Sequence, residues 1–264
     1  EAVSLAEAER PGAVHIELPE DIASEICDAS PVNSKKLSLP IADDKLISEA
    51  IKEIKNSKHP LVILGAGANR NPIQKELKAF FDKTGIPFIS TQMGKGAFDE
   101  NSALCIGAIG IAEGDFAHLA LRHADALIII GHDVINTPPI ILTPESFPNT
   151  KVIHINFFPS RAKDVYIPTH EVVGDISNTL SSLTKKIKIN SAWDFGYFFK
   201  VGDAWKKDIA KFSQSADFPL RPERIISDIQ KVLPKDGILA LDNGMYKIYI
   251  LPAVLSSRNK TVFF

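Results

Sequence analysis

The chain has 264 residues, of which 45% are hydrophobic and 23% are charged, and its formal net charge is −2. This composition is typical of a globular protein with enough apolar material for one large domain or two smaller ones. Because basic and acidic side chains nearly balance, no overall positive field exists to hold a nucleic acid or an acidic membrane. No apolar run approaches the ~20 residues needed to cross a bilayer, and the two cysteines are too few for a disulfide framework. We therefore expect a cytoplasmic protein with reduced thiols and no nucleic-acid or membrane partner.

The beginning of the chain, residues 1–35, has the pattern of an incomplete domain. Residues 1–9 have a helical pattern, and residues 13–18 alternate as in a β-strand. Neither element has a partner within this segment. We therefore predict that residues 1–35 are a piece of a neighbouring domain together with a linker.

Residues 36–188 alternate helical and strand-like segments. Asp43 or Asp44 is expected to cap a first helix, and the uninterrupted apolar run at 61–64 is typical of a strand buried on both faces. Such alternation is the pattern of an α/β domain, an open parallel sheet with helices on both faces. We predict that this segment forms one such domain.

The rest of this domain follows the same pattern. A second helix is expected to begin with Asn71 as its cap and Pro72 in its first turn, and to end at Gly85. A small-residue stretch surrounds Gly107, and Asp175 is expected to cap the last helix. Further strands are predicted at 87–91, 126–130, 152–155 and, at an edge of the sheet, 172–173, with a helix near 115–121.

The composition changes after residue 188. Residues 189–220 are rich in Lys, Ser and aromatic residues, which predicts a helical connector followed by a linker. A new helix is then expected from Pro222, followed by a strand at 237–241. Because this second β-α pattern stops before it could complete a fold, we predict that residues 221–264 begin another domain.

A Gly-rich turn follows the first buried strand and precedes a helix. It contains Gly65, Gly67, Asn69 and Arg70. In this position, backbone N–H groups and a helix N-terminus can accept a phosphate or contact a ribose. The third glycine of a dinucleotide fingerprint is missing, however. Two interpretations stay open, a nucleotide-contacting loop and a tight turn that needs small residues.

A second turn, Gly131 and His132, follows the strand at 126–130 and is expected to face the same crevice. His132 is therefore a candidate for the same nucleotide site, and the alternative is an exposed loop side chain. The sequence contains no HExxH, CxxC, EF-hand or GxSxG pattern. We therefore assign neither a metal ligand nor a catalytic residue to this chain.

Six short stretches are more informative in their order than any one of them alone. They are residues 10–21 (RPGAVHIELPED), 58–67 (KHPLVILGAG), 85–87 with 93–98 (GIP, MGKGAF), 107–110 (GAIG), 124–131 with 152–156 (ADALIIIG, VIHIN) and 171–175 (EVVGD). In this order and spacing they resemble thiamine-diphosphate-dependent enzymes of the acetolactate synthase group, large subunit. The resemblance extends over nearly the whole chain.

The resemblance implies a Rossmann-like central domain, preceded by the tail of a pyrimidine-binding domain and followed by the start of a diphosphate-binding domain. It implies that the whole enzyme binds thiamine diphosphate and Mg²⁺, decarboxylates pyruvate and joins the product to a second 2-keto acid, as a homodimer or tetramer. The family's activating glutamate and its Gly-Asp-Gly and Asn-Asn metal motif are not found in this chain. One edge of the cofactor diphosphate site is implied at Asn243, Gly244, Met245 and Tyr246.

Some members of this family also carry FAD in the central domain. In this sequence His132-Asp133-Val134 and then Pro138-Pro139 replace their Arg-rich, acidic loop after Gly131, so FAD is a doubtful cofactor here. Two alternatives remain for the function: a nucleotide-binding α/β module of FAD or NAD type without thiamine chemistry, and another thiamine-diphosphate enzyme such as an oxalyl-CoA decarboxylase, a 2-keto acid decarboxylase or an oxidase. If the whole protein is a thiamine-diphosphate enzyme of any of these kinds, the chain by itself is expected to be inactive.

Overall fold

A computed structural model describes residues 1–30, 38–70, 73–109, 116–132, 147–161, 165–234, 237–242, 244, 254 and 262–263. The chain divides into two compact units, Glu1–Pro40 and Ile41–Phe264. Among the described helices, none is both long enough and apolar enough to cross a membrane.

The first unit contains two short helices, α1 (Ala2–Glu7) and α2 (Glu20–Ala23). The predicted N-terminal helix is present, but the prediction of a strand at 13–18 is wrong. Its apolar residues Val14, Ile16 and Leu18 are 40%, 70% and 65% exposed. A strand requires a neighbouring strand for its backbone N–H and C=O groups, and the described residues of this unit provide none.

The second unit contains a six-stranded parallel sheet, which confirms the predicted fold class. The strand order is β3-β2-β1-β4-β5-β6. The strands are β1 (Pro60–Leu64), β2 (Phe88–Ser90), β3 (Cys105–Ala108), β4 (Ala126–Ile130), β5 (Lys151–Asn156) and β6 (His170–Val173). The first and fourth strands are neighbours, with Pro60 opposite Ala126 and Leu64 opposite Ile130.

Both faces of this sheet are buried, which explains the uninterrupted apolar runs. Along β1, Leu61 and Ile63 belong to one hydrophobic cluster, and Val62 and Leu64 belong to the other. Successive side chains of a strand point to opposite faces. Every position of the strand must therefore be apolar when helices cover both sides.

Five helices form the two outer layers. One layer contains α3 (Asp44–Asn56), α5 (Gln74–Thr84) and α7 (Ile176–Lys186), and the other contains α6 (Phe116–His123) and α8 (Gly196–Lys211). Between β1 and α5 lies the single turn α4 (Ala66–Arg70), which the sequence pattern did not predict. A 3-10 turn, Gln92–Gly94, follows β2.

The predicted helix caps can be checked individually. The side chain of Asp43, rather than that of Asp44, accepts a hydrogen bond from the N–H of Lys45 at 2.6 Å. Asp175 accepts one from the N–H of Asn178 at 2.8 Å. Gly85 ends α5 in the left-handed conformation with φ 65°, which glycine adopts without steric cost. The predicted cap Asn71 and the neighbouring Pro72 lie outside the described residues.

The segment predicted as a connector contributes to the core. Helix α8 buries Phe198, Val201, Gly202 and Trp205. A Cβ atom on Gly202 would lie only 3.1 Å from the Cα atom of Ile106 in β3, so the helix and this strand are in close contact. Strand β3 itself occupies part of the small-residue stretch in which no strand was predicted.

The end of the second unit contains α9 (Pro222–Val232), with Pro222 in its first turn as predicted. It is followed by β7 (Leu239–Ala240), which pairs in parallel with β8 (Val262–Phe263). Strand β7 is shorter than the predicted 237–241. The division of the chain at residues 188 and 220 stays a prediction.

Candidate functional site

The carboxyl ends of β1 and β4 meet at the centre of the sheet. The chain leaves β1 toward β2 and β3 on one side, and leaves β4 toward β5 and β6 on the other. Such a point, where the strand order changes direction, is the usual ligand crevice of an open α/β sheet. Gly65 follows β1 and Gly131 follows β4, so the structure brings the two predicted turns together as expected.

The two turns touch through their backbones. A Cβ atom on Gly65 would lie 2.5 Å from the Cα atom of His132, and one on Gly67 would lie 2.9 Å from the Cα atom of Gly131. Gly131 has φ 65°, and its Cβ would overlap the backbone N of Ala68. No side chain fits at any of the three glycines, so this interlocked arrangement requires all of them.

The interlock also uses the backbone donors of the first turn. The N–H of Gly65 donates to the carbonyl of Ile130 at 2.8 Å, the N–H of Gly67 donates to the carbonyl of Gly131 at 2.6 Å, and the N–H of Ala68 donates to the carbonyl of Gly65 at 3.1 Å. A phosphate held by this turn would need these same N–H groups. The geometry therefore explains the glycines by packing, and their role in dinucleotide binding stays a prediction.

Asn69 connects the first turn to the loop after β2. Its Nδ2 donates to the carbonyl of Lys95 at 2.9 Å, while its Oδ1 is buried without a partner among the described residues. Arg70 ends α4 and is half-buried. Both residues lie near the crevice, but Asn69 is used to fix the loop at Lys95.

A buried ion pair, which was not predicted, lies behind this contact. Lys95 Nζ is 2.7 Å from Glu100 Oε2, and both side chains are almost fully buried, at 1% and 2% exposure. Ser90, the last residue of β2, donates its hydroxyl to Glu100 Oε1 at 2.6 Å. A buried charge is tolerated when it is paired and hydrogen-bonded. The sequence shows a Lys and a Glu within a Gly-rich loop, but nothing in their spacing indicates that they form a buried ion pair.

On the other side of the crevice, His132 leads into a buried polar network. Its ring lies 5.6 Å from that of Tyr166, and its carbonyl accepts a hydrogen bond from Asn156 Nδ2 at 3.1 Å. His154 has Nε2 3.0 Å from the carbonyl of Phe158 and Nδ1 3.0 Å from the hydroxyl of Tyr166. Since a carbonyl only accepts, Nε2 carries a proton, and in the neutral form of the ring Nδ1 accepts from Tyr166.

The predicted edge of the diphosphate site falls largely outside the described residues. Asn243, Met245 and Tyr246 are not described, and Gly244 is half-buried a few residues after β7. Across the described ranges, no group of three or more His, Cys, Asp or Glu side chains is arranged to hold a metal ion. The described residues therefore provide no ligand set for Mg²⁺.

Comparison with known families decides what kind of domain this sheet belongs to. Residues 47–183, which extend from within α3 to within α7, match the sequence model of the thiamine pyrophosphate enzyme family, central domain. The chain belongs to this family. The resemblance deduced from the six ordered stretches is thus confirmed, and so is the Rossmann-like central domain that it implied.

The similarity to known proteins extends beyond the matched domain. A probable acetolactate synthase large subunit of Methanococcus aeolicus is 28% identical over 94% of the chain, and the acetolactate synthase large subunit of Lactococcus lactis is 27% identical over 95%. A catabolic acetolactate synthase of Raoultella terrigena is 25% identical over 99%. The chain spans 45%, 44% and 47% of the length of these three relatives.

Proposed function

We propose that the protein to which this chain belongs is an acetolactate synthase. It would use thiamine diphosphate and Mg²⁺ to decarboxylate pyruvate and to join the resulting two-carbon unit to a second 2-keto acid. The observation that carries this proposal is the alignment with acetolactate synthases over at least 94% of the chain in the three relatives above. Bound thiamine diphosphate would supply the electron sink for the loss of CO₂.

The role we assign to this chain is structural and positional. The described residues do not form a Mg²⁺ site, and the family's activating glutamate is expected outside residues 1–264. We therefore assign no catalytic step to the side chains of the described residues. The proposed contribution to the cofactor site is the backbone edge at Asn243 to Tyr246, which the family resemblance implies and of which only Gly244 is a described residue.

The proposal gives no structural role to FAD. The N–H groups of Gly65, Gly67 and Ala68 are already bonded within the chain, and a dinucleotide diphosphate at this turn would have to displace these bonds. We infer that the acetolactate synthase chemistry of this protein proceeds without FAD at this turn. The enzyme is further proposed to be a homodimer or tetramer, because its two cofactor-binding domains would have to meet across a subunit boundary.

The test uses the full-length protein with thiamine diphosphate, Mg²⁺ and pyruvate. Release of CO₂ together with formation of acetolactate is the expected result. Acetaldehyde or an acyl phosphate as the product would instead identify a decarboxylase or an oxidase of the same family, and turnover of oxalyl-CoA would identify an oxalyl-CoA decarboxylase. Stabilisation by FAD or NAD without any effect of thiamine diphosphate would favour the nucleotide-binding alternative.

The isolated chain of 264 residues is the matched control. It should not form acetolactate, and calorimetry should detect no binding of thiamine diphosphate with Mg²⁺, because backbone donors alone hold an anion weakly in water. Micromolar binding by this chain would contradict the division of roles proposed here.

A further inference from the structure

The amino end of the sheet carries a stack of three rings that the proposed chemistry does not use. His59 precedes β1, His123 ends α6 and Tyr197 lies in the first turn of α8. The ring centroids of His59 and His123 are 4.3 Å apart, and those of His123 and Tyr197 are 4.2 Å apart. His123 is therefore held between the other two rings. We call these three residues the amino-end stack.

Hydrogen bonds tie this stack to the beginning of α8. His59 Nδ1 is 2.9 Å from the carbonyl of Asp194, two residues before the helix, and the N–H of Asp194 donates to the carbonyl of Lys58 at 2.8 Å. Because a carbonyl only accepts, Nδ1 of His59 carries a proton whether the ring is neutral or charged. This bond therefore anchors the ring of His59 to the segment that precedes α8.

Helix α8 is packed directly beneath the stack. Phe198, the residue after Tyr197, is fully buried, and its ring meets the edge of His123 at 5.5 Å and 81°. His123 thus contacts α8 through two consecutive aromatic residues. A shift of the His123 ring would therefore disturb the packing of the first turn of α8.

The charged neighbours of His123 decide how it responds to acid. Burial lowers the pKa of His123 below its usual value of 6.5, and the nearby imidazole of His59 lowers it further. The carboxylates of Asp194 and Asp125 act in the opposite direction, and their effects are smaller. The phenol of Tyr197 is the titratable group that faces the ring from α8.

The sign of the effect on stability follows from this direction. Since the pKa of His123 is lower in the folded chain than in the unfolded chain, the folded state binds fewer protons in this range. The corresponding stability is fully present above the ordinary pKa of 6.5, and it is lost as the pH falls from that value through the lower pKa of the folded chain.

We propose that the amino-end stack is an acid-sensitive joint, which holds α8 on the sheet while His123 is neutral and loosens that packing when His123 is protonated. The helix is the element affected, because His59 and His123 are anchored on the sheet side while Tyr197 and Phe198 belong to α8. This device does not depend on the proposed function.

Cys105 provides a local readout, because it lies in β3 on which α8 packs. Its thiol is buried, and burial together with the charge of Glu100 raises its pKa to about 12. Cys105 belongs to the same hydrophobic cluster as Trp205 of α8, so we expect loosening of this helix to expose it. The full chain carrying Cys27→Ser retains Cys105 as its single thiol. The reagent is an aromatic disulfide that labels thiols in mild acid. Its rate of reaction with Cys105 in urea is divided by its rate without urea at the same pH, which gives a protection factor.

The protection factor of Cys105 should fall by at least about threefold between about pH 7 and about pH 5.5. His123→Phe keeps an aromatic ring without a titratable group, and it should remove this dependence. His170→Gln is the control, because His170 lies 3.7 and 3.5 Å from Glu49 and Glu53 and away from the stack. This variant should retain the fall.

A protection factor that stays constant in the parent chain, or that falls equally in His123→Phe, would overturn the proposal. Should His123→Phe fail to fold, an NMR titration of the parent chain gives an independent answer. The ring of His123 should then titrate below pH 6.5, together with shifts in the amide signals of the first turn of α8. Titration of His123 at or above that value would contradict the joint.

Discussion

The two ends of the sheet are held together by different forces. At the carboxyl end, Gly65, Gly67 and Gly131 interlock through their backbones, and the pair Lys95–Glu100 is sealed from solvent. At the amino end, the contacts are ring stacking and hydrogen bonds to Asp125 and Asp194, which water and protons can reach. The carboxyl end therefore tolerates little change in shape, whereas the amino end responds to solution conditions.

The largest effect is expected from Gly131→Ala at the carboxyl end. The new Cβ would overlap the backbone of Gly67 and Ala68, and the left-handed φ of 65° would be strained. We expect a loss of about 4 kcal/mol in the free energy of unfolding, measured by urea denaturation. Gly12→Ala is the control, since a Cβ at Gly12 meets no atom of the described residues within 4 Å. Similar effects of the two substitutions would show that the turns are not interlocked.

Lys95→Met tests the buried charges of the same end. This substitution removes the ammonium group that pairs with the buried carboxylate of Glu100. We therefore expect a loss of about 3 kcal/mol in the free energy of unfolding. The double variant Lys95→Met/Glu100→Leu should recover most of this loss, because an apolar pair of similar volume packs without a charge. Lys78→Met removes the exposed pair with Asp82 and should cost less than about 0.5 kcal/mol. A double variant as unstable as the single one would argue against this account.

Asp125→Asn tests the hydrogen bonds of the amino end. The carboxylate accepts the N–H groups of Lys58 at 2.7 Å and His59 at 2.9 Å, one on each oxygen. An amide retains only one acceptor, so we expect a loss of about 1.5 kcal/mol in thermal or urea unfolding. Asp99→Asn changes a carboxylate in an exposed local turn with Asn101 and serves as the comparison. Equal losses would mean that Asp125 does not hold this end together.

The smallest effect is expected at the end of α5. Gly85→Ala places a Cβ on the left-handed C-cap of this helix, where the ring of Phe195 is the only group of the described residues within 4 Å. The loss should therefore come from backbone strain alone, about 1 kcal/mol. A loss as large as that of Gly131→Ala would show that φ, rather than close backbone contact, decides the cost of these substitutions.

The sequence allowed the central strands to be predicted, but not the edge strand β3. Residues 126–130 form an uninterrupted apolar run because both faces of β4 are covered. Strand β3 contains Cys105 and Gly107, which lack the branched side chains typical of strands, and it forms through its pairing with β2 and its contact with α8. Tertiary contacts of this kind are not visible in a local pattern.

The candidate site was predicted in part for a similar reason. The positions of Gly65, Gly67 and Gly131 at strand ends were evident, because small residues after buried strands indicate tight turns. Whether these glycines bind a phosphate or pack on each other depends on the distance between two turns that are far apart in the chain. The burial of Lys95 and Glu100 depends likewise on packing, which composition does not encode.

The carboxylate of Asp125 also bears on how quickly the chain can fold. It joins backbone groups that lie 67 and 66 positions earlier in the sequence, so the central pair of strands closes a long loop that contains β2, β3 and α6. Closing such a loop sacrifices chain entropy before any favourable contact forms, and non-local parallel pairing is intrinsically slow. We therefore expect the middle of this sheet to form late in folding, after the local helices around it have begun to form.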